Sequence, residues 1–542
     1  MQGLMQDYQL TVPAIMRRAE SIFGHKEIVT RLPDKSFHRY TYSDFVSRAK
    51  RLAIALRGLG LERGDRVATL CWNHYQHLEV YFGVPIAGMV VHTLNLRLHP
   101  SDLSYIANHA GDRVLIVDES LLPIYQGFKD DAPFDHVIVI SSGGQIPDGA
   151  LEYEELLASG DESDYEELDL DENEAAVMCY TSGTTGQPKG CLYSHRAIGL
   201  HSLASTQSGT LGISEADTVL PVVPMFHANA WGFPFTCTLV GAKQVFPGPH
   251  LDPPSLLEAF QNERVTVTGG VPTIWIGMLQ LLDKDPKAYD LSSIRGMIIG
   301  GSAPPRTMIE GFQERHGLTV IHAWGMTELT PLGSVAVLPS ELRDASTEDQ
   351  YAFRAKQGIP APFVEIRARG EAGLVPWDGE AMGELEVRGP WVVSSYYEAD
   401  SSDRFTDDGW FKTGDIVSIN EHGCIEIQDR AKDVIKSGGE WISSVALENT
   451  LMGHPAVAEA AVIAIPHEKW DERPLAVVVL KEGESATADD LRAYLEPKVA
   501  KWWLPDAYEF VDEIPKTAVG KFRKTALRDQ FVREPSPAAA GS

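Results

Sequence analysis

The sequence lacks the features that define several common protein classes. Its 542 residues include only five cysteines, with no CxxC pair and no Cys/His cluster at zinc spacing: Cys71, Cys179, Cys191, Cys237 and Cys424. A disulfide scaffold and a zinc-finger module are therefore excluded, and we expect small buried cysteines in the reducing cytoplasm. No run of about 18 apolar residues is free of charges or turn signals, and the N-terminus lacks the apolar stretch of a signal peptide. We therefore expect no membrane span and no export.

Basic residues are scarce relative to acidic ones. Lys and Arg total 47 and Asp and Glu total 76, which gives a formal net charge of −29. Such a charge repels nucleic acid and anionic membranes, so we expect no nucleic-acid partner. A polyanionic ligand must instead be held by local donors, backbone amides or magnesium. Residues 151–174 contain twelve acidic residues and no Lys or Arg, which predicts a solvated face or loop.

The pattern of apolar residues predicts an α/β fold. Short β-branched runs alternate with longer amphipathic stretches, which is typical of largely buried parallel strands between helices. The clearest candidate strands are residues 114–117, 136–140, 265–268 and 297–300. A fresh α/β pattern follows, with candidate strands at 461–465 and 475–480. We therefore place a domain boundary between residues 429 and 430.

Residues 180–190 read YTSGTTGQPKG and carry the strongest local signal. The three glycines free the backbone to expose amides, the hydroxyl residues add donors, and Lys189 adds charge, which suits a loop wrapped on phosphates. The segment is not a Walker loop, because Pro188 precedes the lysine and Gly190 follows it. On composition alone, a plain surface loop is the commoner interpretation of such a stretch, but the order of the residues favours a phosphate loop.

Further motifs follow this loop in order. They are WGMTE at 324–328, GEL at 383–385 with Gly389 and Tyr396-Tyr397, GWFKTGD at 409–415, DRAKD at 429–433, KSGG at 436–439 and PKTAVGK at 515–521. From about residue 10 to 530 the chain resembles the adenylate-forming superfamily of acyl-CoA synthetases, luciferases and peptide-synthetase adenylation domains. The GGEW variant at 438–441 resembles the branch of fatty-acid and methylmercaptopropionate-CoA ligases.

The resemblance implies two domains. Residues 1–429 would form a large adenylation lobe of α/β subdomains with a β-barrel-like part, and residues 430–542 a small mobile α+β domain. Lys432 would be the hinge between the two. Lys521 would contact the acyl carboxylate and the α-phosphate during adenylation. The domain would then rotate, so that Lys521 leaves and the loop that starts at Lys436 arrives for thioester formation.

The resemblance also implies a nucleotide site. Thr184 and Glu328 would bind Mg²⁺, since hard oxygen ligands suit this ion. Asp415 would accept hydrogen bonds from the ribose hydroxyls with help from Arg430, although a structural salt bridge between these two residues is the alternative. Trp324 replaces the commoner Tyr of its motif, which narrows the pocket and removes a hydroxyl. The expected ATP and AMP contacts are Thr181, Ser182, Gly183, Thr184, Thr185, Lys189, Gly301, Ser302, Ala303, Ala323, Trp324, Gly325, Met326, Thr327, Glu328, Asp415, Ile427, Arg430, Lys436, Trp441 and Lys521.

The segment 224–232, PMFHANAWG, resembles the acyl pocket of the family. His227 would line the carboxylate and Trp231 the acyl tunnel; Gly301, Trp324 and Gly325 complete the expected substrate contacts. Weaker candidates for the apolar wall are Phe233, Phe235, Val271, Gly300 and Met326. The expected catalytic residues are Lys521, Glu328, His227 and Lys436. The expected coenzyme A contacts are Ser437, Gly438, Gly439 and Glu440.

These features predict an ATP-dependent acyl-CoA ligase that releases AMP and pyrophosphate. The predicted substrate is an apolar short- or medium-chain acid, including sulfur-containing propionates. ATP, Mg²⁺ and coenzyme A are the implied cofactors, and the resembling branch implies a homodimer. Three alternatives stay open: an adenylation enzyme that loads a carrier protein in trans, since no carrier segment follows Lys521, a luciferase-like monooxygenase, and a non-catalytic binding homologue.

Overall fold

The computed structural model describes residues 1–181, 187–437, 440–467, 469–516 and 522–532. Several predicted site residues lie outside the described residues: Ser182, Gly183, Thr184, Thr185, Gly438, Gly439 and Lys521. The side chain of Glu440 is also outside the description.

The strands of the described chain follow in sequence order. They are β1 Glu27–Arg31, β2 Phe37–Thr41, β3 Arg66–Leu70, β4 Val90–Thr93, β5 Asp112–Asp118, β6 His136–Ile140, β7 Leu151–Glu152, β8 Ala175–Tyr180, β9 Gly190–Ser194, β10 Thr218–Pro221, β11 Lys243–Phe246, β12 Val267–Gly270, β13 Gly296–Ile299, β14 Val320–Gly325, β15 Leu332–Val335, β16 Ile359–Pro360, β17 Glu365–Gly370, β18 Gly373–Leu374, β19 Gly383–Arg388, β20 Phe411–Ile419, β21 Ile425–Arg430, β22 Ile435–Ser437, β23 Glu440–Ile442, β24 Val457–His467, β25 Asp471–Leu480 and β26 Ala507–Phe510.

The helices alternate with these strands. They are α1 Val12–Phe23, α2 Tyr42–Gly58, α3 Tyr75–Ile86, α4 Pro100–Ala110, α5 Leu122–Gln126, α6 Tyr153–Ala158, α7 His195–Ser205, the single turn α8 Ala228–Trp231, α9 Phe233–Val240, α10 Pro253–Asn262, α11 Pro272–Lys284, α12 Arg306–Glu310, α13 Thr347–Ala355, α14 Ser444–Met452, α15 Ala488–Leu495 and α16 Lys524–Phe531. Among the described residues, no helix combines the length and apolar character needed to cross a bilayer.

Two large sheets form the N-terminal part of the chain. One has the strand order β7-β6-β5-β3-β4-β8-β9 and the other β16-β15-β14-β13-β12-β10-β11-β1-β2. Neighbouring strands are parallel except at the edges, where β9, β2, β15 and β16 run antiparallel to their neighbours. The predicted α/β class with largely buried parallel strands is confirmed.

The interior of the first large sheet shows why its strands are apolar along their whole length. On β5, Val114 and Ile116 pack into one core cluster, whereas Leu115 and Val117 pack into another on the opposite face. Successive side chains of a strand point to opposite faces, so a sheet covered on both sides needs continuous apolar strands.

Two smaller sheets follow. The antiparallel sheet β18-β17-β19-β20-β21 includes the strands that carry Asp415 and Arg430. The C-terminal sheet has the order β23-β22-β25-β24, with β26 paired to β25. On its long strand β24, Val462 packs into the cluster that contains Leu447 of α14, and Ile463 packs on the other face with Leu527 of α16. The division of the chain at residues 429 and 430 stays a prediction.

The acidic segment 151–174, predicted to be a solvated face or loop, is exposed along much of its length but also contains regular structure. It begins with β7 and α6, and several of its carboxylates form ion pairs with the N-terminal lobe. These pairs are Glu154 with Arg48, Glu162 with Lys50, Glu167 with Arg17, Glu172 with Arg196 and Glu174 with Arg63. The prediction was incomplete because the basic partners come from elsewhere in the chain. All five cysteines are free and buried, as expected.

Candidate active site

The predicted phosphate loop is the connection of a β-hairpin. Strands β8 and β9 pair antiparallel, and the predicted loop lies between them. At its base, the Thr181 N–H donates to the Lys189 carbonyl at 2.9 Å. The Lys189 N–H in turn donates to the Thr181 hydroxyl oxygen at 3.1 Å. These two bonds fix where the chain leaves and re-enters the hairpin, so both ends of the loop are anchored on the sheet.

Lys189 and Glu328 both contact the side chain of Tyr396. The Lys189 Nζ lies 4.9 Å from the centroid of the Tyr396 ring, a distance typical of a cation–π contact. The Tyr396 hydroxyl donates to Glu328 Oε1 at 2.5 Å, and Glu328 is 6% exposed. Burial and the neighbouring carboxylate raise the pKa of Tyr396. Its hydroxyl therefore stays protonated and continues to donate to Glu328.

Trp324, Asp415 and Arg430 form a second cluster. Asp415 is 2% exposed; its Oδ2 accepts a hydrogen bond from the Trp324 indole N–H at 3.1 Å. Its Oδ1 lies 2.9 Å from Arg430 Nε. The salt bridge considered as the alternative for Asp415 and Arg430 is therefore present. It does not exclude ligand binding, because a carboxylate has about four acceptor positions and these two contacts occupy one on each oxygen.

The predicted adenine platform lies where two parallel strands end side by side. Gly301, Ser302 and Ala303 follow β13, and Ala323 lies on the neighbouring strand β14. A Cβ atom added at Gly300 would lie only 2.8 Å from the Ala323 carbonyl oxygen. The structure thus brings these predicted segments together, at the strand ends where ligands bind in open α/β sheets.

Trp231 lies against the same strand ends. An added Cβ atom at Gly300 would lie 3.3 Å from its Cη2, and one at Gly269 would lie 3.5 Å from its Cε3. The Phe233 ring lies even closer to Gly269, at 2.7 Å from such an atom. Glycines at the ends of β12 and β13 therefore make room for two aromatic rings. Of the weaker wall candidates, Val271 lies beside Gly301, at 3.2 Å from an added Cβ.

The backbone that presents Trp231 is unusual. Ala228, Asn229, Ala230 and Trp231 have φ values of 42°, 55°, 48° and 56°, and Gly232 continues with 78°. This is one turn of left-handed helix, which costs roughly 1–2 kcal/mol per residue for L-amino acids. Such strain persists only where the surroundings impose it, and it concentrates at functional sites. His227, which is half-buried, immediately precedes the turn.

The predicted hinge and the described part of the predicted coenzyme A segment lie on neighbouring elements. Lys432 is exposed in the turn that follows β21. Strands β22 and β23 form a hairpin in which Lys436 is opposite Trp441. The Lys436 N–H donates to Glu472 at 2.8 Å, and the Ser437 hydroxyl oxygen accepts from Arg473 at 3.1 Å. These contacts tie the hairpin to β25 of the C-terminal sheet.

Sequence reasoning did not assign roles to two tyrosines of the site. Tyr396 belongs to a recognised motif, but nothing in the sequence indicates that its hydroxyl reaches Glu328. The Tyr193 hydroxyl donates to the Thr327 carbonyl at 2.6 Å and supports the turn before Glu328 from β9. Ile427, a predicted nucleotide contact, donates its N–H to the Gln357 side chain at 2.5 Å.

Comparisons with known proteins agree with this description of the site. Residues 17–397 match the family model of the AMP-binding enzyme, and residues 446–521 match that of the AMP-binding enzyme C-terminal domain. A long-chain-fatty-acid–CoA ligase of Thermus thermophilus is 49% identical over 97% of this chain and 96% of its own length. A 3-methylmercaptopropionyl-CoA ligase of Ruegeria lacuscaerulensis is 44% identical over 98% of this chain and 99% of its own.

A solved structure gives the same result. The anthranilate CoA ligase AuaEII in complex with anthranoyl-AMP superposes with a TM-score of 0.86 at 26% identity, over 97% of this chain and 99% of that one. The chain therefore belongs to the AMP-binding enzyme family. It is an adenylate-forming acyl-CoA ligase, an acid–thiol ligase that uses ATP and coenzyme A, and the predicted family and activity are confirmed.

Proposed function

We propose that the substrate is an apolar short- or medium-chain carboxylic acid, either a fatty acid or a sulfur-containing propionate. The relatives named above act on a long-chain fatty acid and on 3-methylmercaptopropionate, which are both apolar acids. The segment around Trp231 supports the same class, because Trp231 and Val271 are partly buried apolar side chains beside the strand ends.

One observation carries this proposal. A Cβ atom added at Gly300 would lie 3.3 Å from the Trp231 indole and 2.8 Å from the Ala323 carbonyl oxygen. The proposed acyl wall and the proposed nucleotide segment thus meet at a single residue. An acid whose tail lies against Trp231 would have its carboxylate close to the α-phosphate of ATP, as in-line attack on phosphorus requires.

We propose the following roles for the site residues in the two reaction steps. The carboxylate oxygen of the acid attacks the α-phosphorus of ATP and pyrophosphate leaves. Asp415 accepts hydrogen bonds from the ribose, Arg430 holds Asp415 and the sugar, and Lys189 provides positive charge at the phosphate loop. Lys521 neutralises the developing charge in this step only. After rotation at Lys432, the hairpin that contains Lys436 and Ser437 guides the thiol of coenzyme A to the adenylate.

Glu328 has the properties of a magnesium ligand, and we propose this role together with Thr184. Its carboxylate is buried, and its Oε1 is already oriented by the Tyr396 hydroxyl. Acceptor capacity is left for a hard cation, which prefers carboxylate oxygens and keeps several waters. Bound Mg²⁺ would neutralise phosphate charge.

Homodimerisation also stays a prediction, which light scattering at several protein concentrations can check.

The substrate proposal is tested with a homologous series of straight-chain acids and 3-methylmercaptopropionate, measured by coenzyme A-dependent AMP release. The matched variants Trp231→Phe and Trp231→Ala keep and remove an aromatic wall. In Trp231→Ala, longer acids should gain up to about 0.8 kcal/mol, or about fourfold in kcat/KM, per newly buried methylene. Short acids should lose, whereas Trp231→Phe should keep the wild-type optimum. A uniform drop with an unchanged optimum in Trp231→Ala would place the acyl wall elsewhere.

A further inference from the structure

The indole of Trp324 has a specific place because Gly333, next to the strand partner Ser334, has no side chain. Trp324 ends the regular part of β14, and the pairing with β15 shifts register between Trp324 and Gly325. An added Cβ atom at Gly333 would lie 2.3 Å from Trp324 Cζ3 and 2.4 Å from Cε3. The ring therefore fills the volume that a side chain at position 333 would need, and Trp324 is 7% exposed.

In this position the indole N–H reaches Asp415 on another sheet. Trp324 Nε1 donates to Asp415 Oδ2 at 3.1 Å, and Arg430 Nε lies 2.9 Å from Oδ1. The two oxygens are thus held by donors from two different strands, which fixes the rotation of the carboxylate about its χ2 bond. The remaining acceptor positions of the two oxygens then have a defined direction.

We propose that Trp324 is a positioning residue for ribose recognition, acting through its hydrogen bond to Asp415. The inference rests on the proposed role of Asp415 as the ribose acceptor. A carboxylate that accepts from both ribose hydroxyls must adopt one rotation about χ2, and a carboxylate already held through both oxygens loses little rotamer entropy in doing so. Phe has no hydrogen-bond donor, so it cannot replace the indole N–H.

The inference predicts selectivity between ATP and 2′-deoxyATP. The wild-type enzyme should prefer ATP, because 2′-deoxyATP can offer only one hydroxyl. Trp324→Phe keeps an aromatic face but removes the N–H, so the carboxylate loses its second support. The ratio of kcat/KM for ATP to that for 2′-deoxyATP should fall about tenfold, a change typical of a lost hydrogen bond to a charged group. Any change in contact with the base affects both nucleotides equally and cancels in the ratio.

The controls separate this inference from the proposed function. Asp415→Asn should lower the same ratio at least as strongly as Trp324→Phe. Trp391→Phe is the matched control, because Trp391 is 2% exposed and its N–H donates at 2.9 Å to the Leu332 carbonyl instead of Asp415. This variant should lose stability and keep the wild-type ratio. Trp324→Leu also has no donor and provides a second variant in case Trp324→Phe does not fold.

Each outcome is decisive. A fall in the ratio for the position 324 variants and for Asp415→Asn, with none for Trp391→Phe, supports the inference. An unchanged ratio in Asp415→Asn refutes the ribose role of Asp415 itself. A fall in Asp415→Asn with an unchanged ratio in a folded position 324 variant leaves that role intact and overturns the inference. An equal fall in Trp391→Phe overturns it too, because the effect would then reflect general loosening of the lobe.

Discussion

The contact of Gly300 with two proposed subsites makes Gly300→Ala a severe test of the site. The new methyl group would lie 2.8 Å from the Ala323 carbonyl oxygen, closer than a Cβ atom tolerates, and that oxygen belongs to backbone. It would also lie 3.3 Å from the Trp231 indole. Because β13 and β14 are hydrogen-bonded neighbours, the methyl group cannot be accommodated by a simple side-chain rotation. Either β14 or Trp231 must move.

The expected cost follows from these distances. Overpacking by one methyl group in a packed interior costs typically 1–3 kcal/mol, which corresponds to about 5- to 150-fold if it is expressed in the transition state. A shift of Ala323 would raise the KM for ATP, whereas a shift of Trp231 towards the pocket would move the preferred acid to a shorter chain. We expect both effects, with the larger loss in kcat/KM for ATP because the backbone contact is closer.

The assay compares kcat/KM for ATP and for an acid series in Gly300→Ala and in a matched control. Gly296 begins the same strand, and its added Cβ would meet only the tip of the Ile321 side chain at 3.1 Å. Gly296→Ala should therefore retain activity within about threefold, since a flexible side-chain end can yield. Trp231→Phe combined with Gly300→Ala relieves the ring contact alone. It should restore the acid preference but not the KM for ATP.

One result would refute the reasoning. If folded Gly300→Ala keeps the wild-type kcat/KM for ATP and the wild-type acid preference, the nucleotide and acyl subsites do not meet at Gly300. If Gly296→Ala loses as much activity as Gly300→Ala, the loss reports a general distortion of β13.

Three further predictions concern the reaction steps and acid stability. Lys521→Ala should lower acyl-adenylate formation by about 100-fold or more and spare thioester formation from a supplied adenylate; equal loss in both half reactions would contradict the assigned role. Lys432→Pro should keep pyrophosphate exchange and abolish thioester production, because proline fixes φ at the hinge; equal effects on both would indicate a plain linker. Burial lowers the pKa of His201 to about 4, and its Nε2 accepts the Leu332 N–H at 3.3 Å. The unfolded state therefore binds the proton first, and wild type should lose up to about 1.4 kcal/mol of stability per pH unit from this residue as the pH falls from about 6.5 to about 4. His201→Asn should show a shallower pH dependence of the denaturation midpoint, and an identical dependence would contradict the assignment.

The fold was predictable where a local pattern and the tertiary environment agree. The run 136–140 was predicted as a strand and is β6 over the same residues, because it is apolar and pairs on both sides. The candidate 265–268 is shifted by two residues, to Val267–Gly270. Two glycines at its end gave no strand signal, but the parallel neighbours β10 and β13 hold them in the sheet.

The site was predictable as a set of segments but not as a set of contacts. The sequence motifs indicated Glu328, Asp415 and Trp324, whereas the hydrogen bonds that orient them come from residues 68 and 91 positions away along the chain. The substitution of Trp for Tyr at position 324 was interpreted as loss of a hydroxyl. The structure shows that the indole N–H donates to Asp415, and that the ring fits because position 333 is a glycine.

The left-handed turn that presents Trp231 constrains how this enzyme can be engineered for new acids. A library that randomises positions 228–231 samples a backbone that most side chains disfavour, so clones with β-branched residues there should be lost for lack of folded protein rather than for lack of catalysis. Glycine, asparagine and aspartate relieve the strain at those positions. Screening therefore gains more from varying a wall position such as Val271, where the backbone has an ordinary extended conformation (φ −89°, ψ 153°) and a change in pocket shape is not confounded with strain in this turn.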